Sequence, residues 1–104
     1  MSAFAAAIEA LFADANLGID AVWRSAGAGP GIPVRAIVRR PDRIGDFGET
    51  RIVAETVIID VRVSQVPAPA EGDAFEIGGE TLVIQGEPLR DAERLIWTVE
   101  ARAA

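Results

Sequence analysis

The 104 residues of this chain include no cysteine, no histidine, no tyrosine and no lysine. Without cysteine, the chain can form neither disulfide bonds nor a catalytic thiolate. Without histidine, it lacks the usual general base near neutral pH and the commonest metal ligand in proteins. We therefore expect no catalytic residues, no cofactor and no metal site.

Long apolar stretches are missing as well. No run of about 18 apolar residues occurs, so we expect no membrane-spanning helix and no membrane partner. The N-terminal stretch MSAFAAAIEALFADA is mostly apolar, but it contains Glu9 and Asp14 and lacks a basic leading region. This composition argues against a secretory signal.

The residues that are present favour a single folded domain spanning 1–104. Hydrophobic residues make up 50% of the sequence, which is well above a disordered composition, and the length suffices for one core. Acidic residues outnumber arginines, 16 to 10, and give a net charge of −6. We do not expect so acidic a chain to bind nucleic acid tightly, because that affinity comes largely from neutralising phosphates.

The first 15 residues predict a helix over residues 2–15. Ser2 is a suitable N-cap, the alanines raise helix propensity, and Asn16 and Gly18 provide a stop. The larger apolar residues recur at helical spacing, and we expect all four to pack the helix on the rest of the fold. They are Phe4, Ile8, Leu11 and Phe12.

From Gly18 onward, the sequence has the alternation and the turn residues of β-strands. The predicted strands cover residues 19–25, 32–39, 52–64, 74–77, 81–84 and 95–102. Gly78 and Gly79 form a tight hairpin turn, which requires positive φ angles, and a second turn is predicted at 86–91. The chain is therefore predicted to be mainly β with one N-terminal α-helix. We expect a small antiparallel β-barrel or sandwich of about six strands, with the helix across one opening or face.

Alternation along these strands also predicts which side chains form the core. The predicted core residues are Trp23, Val34, Val57, Ile59, Val61, Leu82, Ile84, Trp97 and Val99. Asp60 and Arg62 lie two residues apart on the opposite strand face and are expected to form a surface pair. The acidic residues Glu71, Asp73, Glu76 and Glu80 do not have the spacing of a calcium loop, so we expect solvated turn positions rather than a metal site.

The segment 39–51 is the candidate functional region. It joins two predicted strands, and it is basic at its start although the chain is acidic. It is either a plain solvated loop or a loop that contacts another molecule, since long loops in compact domains are commonly functional. Exposed apolar residues favour contact, and arginine guanidinium groups suit carboxylates of a partner. The candidate interface residues are Arg39, Arg40, Arg43, Ile44, Phe47 and Arg51.

Most of the chain shows a resemblance to a known family in its layout, and the C-terminal half carries the closest part of it. The stretch EGDAFEIGGETLVIQGEPLRDAERLIWTVEAR follows an alternating strand and combines Gly72-Asp73, a short strand, Ile77-Gly78-Gly79-Glu80, a second strand, a polar turn and a closing strand. In this pattern the chain resembles the head–tail joining proteins of tailed phages, also called attachment, head-closure or stopper proteins. Members occur in lambda-like phages, prophages and gene transfer agents.

The resemblance implies a β-barrel subunit that assembles with copies of itself into a ring, with six copies expected. The ring would sit in the virion at the head–tail interface, after synthesis in the bacterial host cytoplasm. Its partners would be portal or adaptor proteins on the head side and the tail terminator or tail tube on the other. DNA would pass through the channel as non-specific cargo, and the family carries no catalytic residues.

Three alternatives remain open at the level of the sequence. The chain could be a minor tail or tail-completion protein of the same particle. It could be an OB-type nucleic-acid-binding barrel, although aromatic residues interleaved with basic ones are not seen on its strands. A small carboxylate-dependent enzyme is the weakest alternative, since no convincing acid pair is present.

Overall fold

A computed structural model describes residues 3–40 and 56–104 of the chain. The helix α1 covers Ala3–Ala13 and is followed by six strands. The strands are β1 Ile19–Arg24, β2 Ile32–Arg39, β3 Val57–Arg62, β4 Ala74–Ile77, β5 Glu80–Arg90 and β6 Ile96–Ala103. The predicted class, mainly β with one N-terminal helix, is confirmed.

The six strands form a closed antiparallel barrel in the order β1-β2-β3-β6-β5-β4. Closure pairs β1 with β4, where Trp23 lies opposite Phe75. The end of β2, the start of β3 and the tight turn between β4 and β5 meet at one end of the barrel. We call this end the hairpin rim, and it comprises residues 39–40, 56–57 and 78–80.

The barrel interior is filled by alternate residues of each strand. In β3, for example, Val57, Ile59 and Val61 are buried and the residues between them are only partly so. Of the nine predicted core residues, seven are buried in one cluster, whereas Trp23 and Trp97 pack against that cluster and are partly exposed. Each indole ring has an N–H group that needs a hydrogen-bond acceptor. This need keeps part of each ring near the barrel surface.

Helix α1 buries fewer side chains than the sequence predicts. Ile8 and Phe12 are buried, but Phe4 is 49% exposed and Leu11 is 43% exposed. Phe4 and Leu11 lie seven residues apart and therefore share one helix face, beside the face that docks on the barrel. The prediction that all four residues pack the helix is thus wrong for these two.

Two arginines attach α1 to the barrel. Arg35 on β2 donates from Nε to the carbonyl oxygen of Phe12 at 2.9 Å and from Nη1 to Asp20 at 3.0 Å. Arg62 on β3 forms an ion pair with Glu9, and its guanidinium lies 5.4 Å from the centre of the Phe12 ring. Both arginines occupy positions that alternate with core residues, so α1 lies across an outer face of the barrel rather than across its opening.

The end of the β5 strand also differs from the prediction. A turn was expected at 86–91, but β5 continues to Arg90, with an irregularity in its pairing with β6 between Gln85 and Leu89. Gly86 has a φ of +77° within this irregular stretch, a conformation that glycine adopts without strain. The chain turns only after Asp91.

Candidate subunit interface

The structure describes two of the six predicted interface residues. Arg39 is the last residue of β2 and Arg40 follows it, so both lie at the hairpin rim. Their side chains are 56% and 51% exposed. The other four residues, Arg43, Ile44, Phe47 and Arg51, lie outside the described residues.

Arg39 belongs to a cluster of polar side chains that come from three strands. Its Nη2 lies 3.1 Å and 2.9 Å from the two carboxylate oxygens of Asp60 on β3, and Thr98 on β6 donates to the same carboxylate at 2.7 Å. Asp60 is therefore paired with Arg39 rather than with Arg62, and the predicted surface pair is wrong. Arg62 is turned toward α1 instead, because Glu9 offers it a carboxylate there.

Arg40 reaches across the barrel mouth. Its Nη2 lies 3.1 Å from Glu80, the first residue of β5. In the barrel order, β2 and β5 are three strands apart in either direction, so this ion pair joins opposite sides of the hairpin rim. Both side chains are about half exposed, so the pair is worth only about 0.2–1 kcal/mol of stability. Its main consequence is to fix the side chain of Arg40 across the hairpin rim.

The acidic residues of the hairpin region do not converge on a common point. Asp73 is buried, and it accepts hydrogen bonds from Trp23 Nε1 at 3.1 Å and from the backbone N–H groups of Ala26 and Ala70 at 2.8 and 2.9 Å. The expectation that Asp73 is solvated is therefore wrong. Within residues 3–40 and 56–104, no three acidic side chains are grouped so that they could hold a metal ion.

A second surface was not predicted from the sequence. Phe4 and Leu11 of α1, together with Leu17 and Ile19 just after it, are four of the six large hydrophobic residues that are exposed in the described parts of the chain. Of these four, Phe4 and Leu11 share one face of the helix, and we call that face the α1 surface. The signal lay in the composition of α1, AFAAAIEALFA, in which only Glu9 is polar. A helix that is apolar on all sides is typical of a buried helix, yet α1 is covered on one side only.

A comparison with protein families matches residues 1–101 to the phage head-tail attachment proteins. The chain belongs to this family. The predicted resemblance is confirmed, and the match covers almost the whole length, including α1 and the segment 39–51. Membership makes the chain a structural phage protein with a role in head–tail joining.

A search among curated proteins finds no match to this sequence. In the described ranges 3–40 and 56–104, no helix has the length and apolarity needed to cross a membrane.

Proposed function

We propose that the chain is a head–tail connector subunit that closes the filled head of a tailed phage, a prophage or a gene transfer agent. Six copies form a ring in the virion between the portal or adaptor complex and the tail terminator or tail tube, and DNA passes through the central channel. The observation that carries this proposal is the family match over residues 1–101.

The barrel has properties that suit such a subunit. A closed barrel removes the free sheet edges that would otherwise pair with other chains at random. The arginines that flank α1 and the hairpin rim are held by carboxylates of the same chain, so they fix the shape of the subunit. The net charge of −6 disfavours tight binding to DNA phosphates, as expected for a channel through which DNA must move.

The segment 39–51 is proposed as the part of the subunit that contacts its neighbour. Arg39 and Arg40 anchor its first residues to the barrel at two points, Asp60 and Glu80. Beyond them the sequence adds two apolar residues and two more arginines: Ile44, Phe47, Arg43 and Arg51. Apolar side chains next to guanidinium groups are the composition typical of protein interfaces.

The proposal is tested by a joining assay. Filled heads and separate tails are prepared from particles that lack this protein, and the purified wild-type chain is then added. We expect it to bind the heads and to restore joined particles, seen by electron microscopy. Binding to tails before heads would indicate a tail-completion protein instead, and failure to restore joining in either order would overturn the proposal.

A further inference from the structure

We propose that α1 is exchanged between copies in the ring, so that the helix of each subunit docks on the barrel of the next. The docking site is the outer face of β2 and β3 at Arg35 and Arg62, which the helix of the same chain occupies in the single subunit. The occupant in the ring is the α1 helix of a second copy. This inference rests on the proposed function, because it identifies how the subunits of the proposed ring hold one another.

The first argument is that this site is already complementary to α1. Arg35 donates to the carbonyl oxygen of Phe12, and Arg62 pairs with Glu9 and lies over the Phe12 ring. Every copy carries the same groups, so the helix of a second copy would find the same contacts at the same site. The exchange of an identical element between copies therefore needs no new complementary surface.

The second argument is that release of α1 leaves the barrel interior intact. The two buried residues of the helix, Ile8 and Phe12, do not belong to the cluster that fills the barrel. The docked helix also covers the Nε of Arg62, which has no hydrogen-bond partner among the described residues. A buried donor without an acceptor weakens the contact that buries it. The helix is therefore easier to release than any strand of the barrel.

The third argument concerns the turn 14–18, which connects α1 to β1. The N–H groups of Leu17 and Gly18 donate to the carbonyl oxygen of Asp14 at 3.1 and 2.8 Å. The N–H of Asn16 donates to the carboxylate of the same residue at 2.7 Å. Once these bonds open, the chain from the last buried residue of α1 to the start of β1 extends to ~23 Å, at ~3.3 Å per residue. This reach is comparable to the shortest dimension of the subunit, 25 Å, so α1 can pass to a copy in direct contact.

Exchange also accounts for the α1 surface. Phe4 and Leu11 stay exposed when the helix docks on its own barrel, although α1 is apolar on almost all sides. A helix that passes from one barrel to the next lies in the junction between two subunits. Its second side is then covered as well, as expected for a helix of this composition.

The exchange has a consequence for assembly. In the free subunit α1 fills its own docking site, so we expect a monomer until a second copy is held close by. Each exchanged helix joins two different parts of the same chain, and such head-to-tail contacts generate rings when the rotation closes.

Cross-linking between helix and barrel tests the exchange, and the absence of native cysteine makes each introduced thiol unique. Glu9 and Arg62 are in contact when α1 is docked, so one chain carries Glu9→Cys and another carries Arg62→Cys. Both are assembled together with wild-type chains, as purified rings and in joined particles, and a short bifunctional thiol reagent is added. We expect covalent dimers that contain one chain of each kind. Their absence from assemblies that contain both variants overturns the inference.

Arg102→Cys replaces Arg62→Cys in the matched control, since Arg102 is exposed and lies on β6, away from the docking site. We expect few or no dimers there. An equal yield of dimers in the control would overturn the inference, because the contact would then not depend on the docking site.

A lock on α1 gives a second, independent test. A chain that carries both Glu9→Cys and Arg62→Cys is bridged as a monomer, with a bifunctional reagent whose links a reductant cleaves. We expect the bridged protein to join heads to tails at least tenfold less efficiently than before, and the reductant to restore joining. The same chain treated with a monofunctional reagent is the control for the substitutions themselves. Equal joining by the bridged protein and this control overturns the inference.

The joining assay keeps this inference distinct from the proposed function. If wild-type chains join heads to tails and no 9–62 dimers form, the exchange is wrong and the function stands. If 9–62 dimers form in purified rings and joining fails, the exchange stands and the function is wrong.

Discussion

The carboxylate of Asp73 joins three parts of the barrel that are distant in the sequence. Trp23 belongs to β1, Ala26 lies in the short 3-10 turn Ser25–Gly27, and Ala70 lies in the connection between β3 and β4. The two backbone N–H groups have no strand partner at these positions, so the side chain takes the place of a sheet hydrogen bond. A sequence shows an acidic residue in a turn but not these three donors.

We predict that Asp73→Ala lowers the free energy of unfolding by about 2–4 kcal/mol, because it removes three partly buried hydrogen bonds to the carboxylate, each worth about 0.5–1.5 kcal/mol. Urea unfolding would measure the loss. Glu71→Ala, two residues away and exposed, is the control and should change stability by less than about 0.5 kcal/mol. Equal stability of both variants would contradict the structural role of Asp73.

Asp91 illustrates a charge effect at a turn. The N–H of Ile96 donates to its carboxylate at 2.9 Å and the N–H of Leu95 does so at 2.8 Å. These bonds favour the ionised form and lower the pKa of Asp91, although burial opposes them in part. The folded pKa thus lies below the unfolded one. The resulting stability is present above the ordinary aspartate pKa of about 3.9 and is lost as the pH falls through the lower folded value.

We therefore predict that Asp91→Asn reduces stability at neutral pH and that the difference from wild type shrinks as the pH falls below about 4. Thermal unfolding at a series of pH values would measure this. A difference that stays constant across that range would show that the ionised carboxylate is not responsible.

At the scale of elements, α1 is the part of the fold with the fewest buried contacts. Its attachment depends on Ile8, Phe12 and the two arginines beneath it. Segments with few buried contacts open locally at lower free energy than the core of a protein. We infer that α1 and the barrel are separable units of stability.

The substitution Arg35→Ala tests whether α1 and the barrel are separable units of stability. We predict that it lowers the free energy of local opening of α1 by about 1–2 kcal/mol and so speeds hydrogen exchange there, while exchange in β3 and β6 is unchanged. Arg102→Ala, at an exposed position on β6, is the matched control. Uniformly faster exchange through the barrel would show instead that α1 and the barrel unfold together.

The sequence predicted the elements well because their signals are local. Apolar alternation located the interior of β3, and helical spacing located α1. Prediction from the sequence failed where the structure depends on residues that are distant in the chain. The length of β5 is one case: β4 pairs with it only as far as Val83, so Pro88, which has no N–H to donate, is tolerated further along. The pairing of Arg39 with Asp60 and of Arg40 with Glu80 depends on strand register and barrel closure, which no local pattern contains.

At the scale of the whole molecule, the six described strands close the barrel by pairing with one another. The strands β2 and β3 pair from Ala36 opposite Val61 to Arg39 opposite Ile58, and the Arg39–Asp60 pair reinforces that contact. Deletion of residues 43–48 leaves nine residues between Arg40 and Thr56, which is enough to connect two adjacent antiparallel strands. Removal of those six residues should therefore leave the fold intact.

We predict that the protein lacking residues 43–48 keeps its circular dichroism and melts within a few degrees of wild type, but no longer forms rings or joins heads to tails. A second variant, in which the same six positions are replaced by glycine and serine, separates sequence from length: it should also fail to join, because Arg43, Ile44 and Phe47 are gone. Normal joining by either variant would show that the segment is a plain solvated loop. Loss of the fold on deletion would show that the barrel needs the segment in order to fold.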